Sequence, residues 1–156
     1  RREVIRHRRV DSYSDAHPVF RRSKRRIRPE FRRYGGVLVD IYYDHFLARR
    51  WSDYSDVPLK SFAEATYGVL RRHQGSFPSR MQRSMGYLVE NDLLQSYREL
   101  SGIRRSLQGI ESRLRRPSRL REAVVDLEDN YEDLERDFVA FFADLIDYVE
   151  QQKRSP

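Results

Sequence analysis

The sequence predicts an all-α protein, a compact helical bundle of about six helices. Three observations predict it. Of 156 residues, 38% are apolar and 35% charged, the balance of helices with one buried stripe and charged outer faces. From residue 117 to about 151, apolar residues recur at 120, 124, 127, 131, 134, 138, 141, 145 and 149, close to one every 3.5 positions. No Asn-Gly or Asp-Gly turn and little sustained two-residue alternation suggests a hairpin. This length suits one domain over residues 1–156.

Prolines punctuate the chain. Pro18, Pro29, Pro58, Pro78 and Pro117 each stand near the start of a helical pattern, where a missing N–H costs nothing. The first helix is expected from about Glu3 to Asp15, where His7, Asp11 and Asp15 share one face at spacings of four. A basic helix over about 19–27 follows, carrying Arg21, Arg22, Lys24, Arg25 and Arg26. The third, from about Pro29 to Trp51, holds the most apolar window of the chain, Val37 to Leu47. Gly35-Gly36 lowers its helix propensity and marks either a break or a close backbone approach.

Asp40, Asp44 and His45 lie inside that apolar window, with Asp40 and Asp44 one turn apart. Ionisable groups among buried apolar residues need a partner or a metal. Ser52–Val57 reads as a loop. A fourth helix, Pro58 to about His73, is expected to turn Leu59, Phe62, Ala63, Thr66, Val69 and Leu70 inward. The stretch from Pro78 to Arg115, including Met81 and Met85, is expected to split near Glu90-Asn91 or Ser101-Gly102. The last helix reads as a packing helix of the bundle, or alternatively as a coiled-coil strand.

Composition excludes several classes. No cysteine is present, so disulfides and thiolate metal sites are absent. No uncharged apolar run reaches the roughly 20 residues of a membrane span, so no membrane partner is expected and the simplest address is the cytoplasm. No P-loop, no G-x-G-x-x-G and no G-x-S-x-G occurs. The chain opens on Arg1 with no helix-start signal, which reads as entry partway through an element. The net charge is +7, unevenly spread: residues 1–33 hold 13 Arg/Lys against 4 Asp/Glu, and residues 118–150 hold 11 acidic against 3 basic.

Two faces carry nitrogen and oxygen donors, His7-x3-Asp11-x3-Asp15 and Asp40-x3-Asp44-His45. Imidazole with carboxylate suits Mn, Fe, Zn or Mg more than Ca; the bland alternative is an ordinary charged helix face and a core histidine paired to an aspartate. Arg8, Arg9, Arg21, Arg22, Arg25, Arg26, Arg32, Arg33, Arg49 and Arg50 could bind phosphate, nucleic acid or an acidic protein, or simply form a solvated basic face. No RNA-binding or zinc-finger signature accompanies them, which makes nucleic acid the less expected partner. His17 and His73 read as loop or cap residues.

Arg6-His7-Arg8-Arg9-Val10-Asp11, Ser14-Asp15-Ala16-His17-Pro18, and Asp40 with Tyr43-Asp44-His45-Phe46-Leu47-Ala48-Arg49 and Trp51 resemble the acyl carrier protein phosphodiesterases. These are similar to a divergent branch of the all-helical HD phosphohydrolases. The resemblance continues through Pro58-Leu59-x-x-Phe62, Leu93 to Tyr97, Ile103 to Arg113 and the acidic last helix. It implies an HD-phosphohydrolase-like fold and hydrolysis of the phosphodiester joining 4′-phosphopantetheine to a serine of acyl carrier protein. It also implies a divalent ion, typically Mn²⁺, and a small acidic helical partner that the basic first third would suit.

On this reading His7, Asp11, Asp44 and His45 are the candidate metal ligands. Asp15 and Asp40 would orient water or a ligand imidazole, and Arg8 and Arg9 would neutralise charge on the phosphoryl group. The family's N-F-L-A-H-L-like and G-N-x-x-x-D-F-like N-terminal runs do not occur in these 156 residues, so an upstream segment is expected. The competing expectations are a non-catalytic helical binding module, its basic face docking an acidic protein or nucleic acid, and a coiled-coil interaction protein.

Overall fold

The computed structural model describes residues 9, 11–76, 79–116 and 118–155. His7, Arg8, Val10, Pro78 and Pro117 lie outside the described residues, as do the side chains of Met81 and Met85. All regular structure among the described residues is helical: α1 over 11–16, α2 Pro18–Arg25, α3 Gly35–Arg49, α4 Trp51–Tyr54, α5 Leu59–Arg72, α6 Ser79–Glu90, α7 Leu93–Ser96, α8 Leu100–Glu111, α9 Val124–Asp129 and α10 Tyr131–Arg154. Short 3₁₀ turns occupy Pro29–Tyr34, Gln74–Ser76 and Leu120–Ala123.

The expected all-α class holds, but the described helices number ten rather than about six, because several expected long helices are divided. Residues 29–51 form a 3₁₀ turn, α3 and the start of α4, and the first change falls at Gly35. The Lys24 side chain lies over this glycine pair: an added Cβ at Gly35 would meet Lys24 Cγ at 3.6 Å, an ordinary contact. The last helix is interrupted at Asn130, whose φ of −114° and ψ of 24° leave the helical region.

The chain forms two compact units. The first comprises residues 1–43 and 122–156, the second residues 44–121; the division falls within α3. In the first unit, α10 packs on α2 and α9. The expected 3.5-residue repeat is the packing face: Val124, Leu127, Leu134, Phe138 and Phe141 are all buried. This makes α10 a packing helix. Phe20 and Phe138 meet Tyr43 edge-on, at ring separations of 5.8 and 5.6 Å.

A carboxylate sits inside this packing face. Asp137 is 1% exposed. Arg22 Nη2 donates to its Oδ1 at 2.7 Å and Arg26 Nε to its Oδ2 at 2.9 Å. Ser23 Oγ donates to Oδ2 at 2.8 Å, so the Tyr43 hydroxyl, 2.6 Å away, is the donor to Ser23. Burial alone would raise this carboxyl's pKa; the hydrogen bonds from Arg26, Arg22 and Ser23 outweigh it and hold the group below its ordinary value. Arg28 Nε likewise donates to buried Asp126 at 2.8 Å. There burial prevails over Arg28, and the carboxyl is shifted upward.

The second unit holds α4 to α8, with α7 touching α5, α6 and α8. Two local devices set its turns. Asp92 has a φ of 47°, a left-handed conformation that aspartate tolerates. Its carboxylate accepts from the Tyr67 hydroxyl and from Gln95 Nε2, which ties the α6–α7 turn to α5. Gly102, in the first turn of α8, admits α7: an added Cβ would stand 1.9 Å from the Ser96 carbonyl oxygen, so only glycine fits. The breaks therefore fall at Asn91-Asp92 and at Tyr97–Glu99, one of them close to the expected Glu90-Asn91 and the other upstream of Ser101-Gly102. On α5 only Ala63 and Tyr67 are buried, whereas Phe62 and Val69, expected to face inward, are exposed.

Removing the carboxylate in Asp137→Ala leaves two arginines without their acceptor. Both reach solvent and can partly rehydrate, so urea unfolding near pH 7 should show a loss of about 2–3 kcal/mol. Asp137 contributes stability above the unfolded carboxyl pKa of about 3.9, and that contribution is lost as pH falls through the lower folded value. The gap between wild type and variant should therefore close below about pH 3.9.

Candidate functional site

The expected site residues fall in both units. In the first unit, Asp11 and Asp15 stand exposed on α1, and Arg9 Nη1 donates to Gln152 Oε1 at 3.0 Å. Asp40 on α3 is also exposed, which corrects its expected burial: like Val37, it is a position of the apolar window that the helix turns outward, between buried Val39 and Ile41. Protein packed around the carboxyl still strips part of its hydration, and this, together with the charges of Asp15 and Asp11, pushes its pKa up to about 6. Lys24 opposes the shift. Solvent on the exposed side limits the effect, but its direction follows from three like charges brought near one another.

The histidine between these elements has a structural task. His17 caps α2: its Nδ1 accepts from the Val19 N–H at 3.1 Å, which leaves the proton on Nε2 to donate to Asp144 Oδ2 at 2.9 Å. The ring lies edge-on to Phe141 at 5.1 Å. The expected cap role is what the structure shows.

In the second unit, His45 is 1% exposed and its Nδ1 lies 2.7 Å from the Tyr97 carbonyl oxygen. A carbonyl can only accept, so Nδ1 carries the proton and donates it. Metal-binding histidines are commonly held in this way, with the second nitrogen bonded to a carbonyl or carboxylate. Asp44, half-buried, lines a cavity of about 210 Å³ with Leu47, Trp51, Leu59, Phe62 and Tyr97. Burial and the Asp44 charge together raise the Tyr97 hydroxyl to about 12, so it remains a proton donor at neutral pH. Tyr97 is the residue that sequence reasoning missed: its run carried the family resemblance, but nothing in the pattern placed its carbonyl on His45 or its ring beside Asp44. Gly102 supports this arrangement by letting α8 close against the turn of chain that carries Tyr97.

Among the described residues, no group of three or more histidine, aspartate or glutamate side chains is gathered as a metal site. Taken separately, each unit has donors that fit a divalent ion in kind: His45 and Asp44 in the second, and Asp11, Asp15 and Asp40 in the first. They fall short of a complete ligand set in number. Of the expected arginines, Arg22 and Arg26 are engaged by Asp137, Arg21 donates to the Asp15 carbonyl and Arg32 to the Ile27 carbonyl.

Comparison with known proteins extends this picture. A family profile described as acyl carrier protein phosphodiesterase matches residues 1–145. The chain is 34% identical over 140 residues to a protein of Enterobacter sp. (strain 638) with that name, covering 89% of this chain and 72% of the relative. Proteins of the same name from Salmonella paratyphi A and Salmonella agona (strain SL483) are 32% and 31% identical over the same shares. No solved structure matches the chain.

The Asp40 environment has a pH signature. Its folded pKa of about 6 lies above the unfolded value near 3.9, so the folded state loses stability as pH rises between the two. Asp40→Asn removes that loss. Its urea midpoint should exceed that of the wild type above about pH 6, and the two should converge near pH 4. A difference that does not change with pH would remove the carboxylate cluster as its cause.

Proposed function

The chain belongs to the acyl carrier protein phosphodiesterase family, a family of hydrolases, and on that footing we propose that it removes 4′-phosphopantetheine from holo acyl carrier protein to give the apo form. The observation that carries this reading is the family match across residues 1–145, which includes every candidate site residue. Water attacks the phosphorus, the bond from phosphorus to the carrier serine oxygen breaks, and that oxygen leaves as an alcohol after gaining a proton. The products are the free serine and 4′-phosphopantetheine.

The chemistry of the residues supports assigned tasks. A carboxyl with a pKa pushed up to about 6 can take a proton from water near neutral pH, which suits Asp40, helped by Asp15. Arg8 and Arg9 are the candidates to neutralise the non-bridging phosphoryl oxygens. The candidate donors for a divalent cation, Mn²⁺ first, are a subset of His7, Asp11, Asp44 and His45. When bound, such a cation supplies Lewis acidity toward a phosphoryl oxygen. The carbonyl that accepts from its Nδ1 holds the His45 ring in one orientation. Tyr97, beside Asp44 and protonated at neutral pH, can donate a hydrogen bond in the cavity.

The test is mass spectrometry of holo carrier protein incubated with the chain and Mn²⁺, reading the loss of the phosphopantetheine mass. Appearance of apo carrier supports the proposal. Its absence across Mn²⁺, Mg²⁺ and Zn²⁺, with carrier binding retained, points instead to a binding module. Asp44→Ala should lower turnover by about 100-fold or more with the circular dichroism spectrum unchanged. Unaltered Mn²⁺ affinity in that variant would remove Asp44 from the ligand candidates.

A further inference from the structure

The positive charge of the chain does not lie where the run of basic residues at its start suggests. Residues 1–43 with 122–156 hold 16 Lys/Arg and 16 Asp/Glu, so the first unit is formally neutral. Residues 44–121 hold 15 against 8, which is the entire surplus of +7. Within them, residues 98–121 carry eight arginines against Glu99 and Glu111 alone.

The side chains follow this division in part: Arg21, Arg25 and Arg33 of the first unit are also exposed and pair with no carboxylate among the described residues, but they lie in a unit whose formal charge is zero. On α2, Arg22 and Arg26 are tied to Asp137, and Arg28 just beyond it pairs with Asp126 and Glu30. In the second unit, α8 buries Gly102, Ile103, Ser106 and Leu107 and leaves Arg104 and Arg105 exposed on its other side. Arg98 before the helix and Arg115, Arg116 and Arg119 after it are also exposed. None of these six pairs with a carboxylate among the described residues. Six guanidinium groups with no carboxylate partner among the described residues, within 22 consecutive residues, make this stretch strongly basic, and a carboxylate-bearing partner complements that charge. All six are arginine, whose planar fork matches a carboxylate through two hydrogen bonds.

We propose that Arg98, Arg104, Arg105, Arg115, Arg116 and Arg119 form the surface on which the acidic carrier protein docks. The choice of partner rests on the carrier being the substrate, as argued above; the placement rests on the net charge of residues 44–121 and on the density of exposed arginines over 98–119. An acidic protein is favoured over nucleic acid because the relatives are named for a protein substrate.

Two double charge reversals of equal size separate the two basic regions. Arg104→Glu/Arg105→Glu alters the proposed surface, and Arg21→Glu/Arg25→Glu alters the exposed side of α2. Binding of each full chain to purified holo and apo carrier is measured by fluorescence anisotropy, alongside the rate of apo carrier formation. The α8 pair should weaken binding and raise KM by about tenfold or more, while the α2 pair stays within about twofold. Salt should weaken wild-type binding and shrink the difference. Equal weakening by both pairs, or a larger effect from the α2 pair, overturns the proposal. Tight binding of duplex DNA that the α8 pair abolishes, with carrier binding unchanged, also overturns it. Absence of turnover in the wild type counts against the hydrolase reading alone, because binding is read independently. Absence of wild-type carrier binding at low salt counts against the docking surface.

Discussion

A buried carboxylate organises much of the first unit. Asp137 lies on the packing face of α10, and a charge there is tolerated only if it is paired and hydrogen-bonded. Arg22, Arg26 and Ser23 supply that from successive turns of α2, and Tyr43 on α3 closes the network through Ser23. Three helices are thereby held in one relation by polar geometry as well as by aromatic packing. The same interaction determines which arginines remain available to others, since those of α2 that serve Asp137 cannot also serve a partner.

The candidate residues divide into two electrostatic settings. Around Asp40, like charges accumulate and favour a proton or a cation. Around His45, a backbone carbonyl accepts from Nδ1 and fixes the tautomer. Each setting is suited to a hydrolytic centre in its own way, and each depends on a local feature of the chain. Asp40 depends on the outward turn of α3 between two buried neighbours. His45 depends on Tyr97, and so on the glycine at 102 that lets α8 approach its neighbour.

Much of the helical fold was legible, for physical reasons. The 3.5-residue repeat of the last segment named Leu120, Val124, Leu127, Leu134, Phe138 and Phe141, which are buried, along with Tyr131, Leu145 and Val149, which are half-buried, because burial on one helix face is what produces such a repeat. Pro18, Pro29 and Pro58 marked helical starts because they lack an N–H. The repeat could not show the interruption at Asn130, since apolar spacing is continuous across it. It also could not show Asp137, because a charge at a buried position is visible only when its partners are known. Asp40 was misjudged for a related reason: apolar neighbours in sequence lie on other sides of the helix. The candidate site was legible as residue types and a family pattern. Tyr97 was not, because its contribution to His45 is made by its backbone carbonyl.

The surplus positive charge lies in residues 44–121 and is densest over 98–119, and arginine reactivity reads which of these side chains are open to a partner. Phenylglyoxal modification of the intact chain, followed residue by residue by peptide mass spectrometry, should show Arg104, Arg105, Arg115 and Arg116 reacting quickly and Arg22, Arg26 and Arg28 slowly. Adding holo carrier protein should slow the first group severalfold and leave the second unchanged. Fast reaction of Arg22 and Arg26, or protection by the carrier confined to α2, would contradict the account.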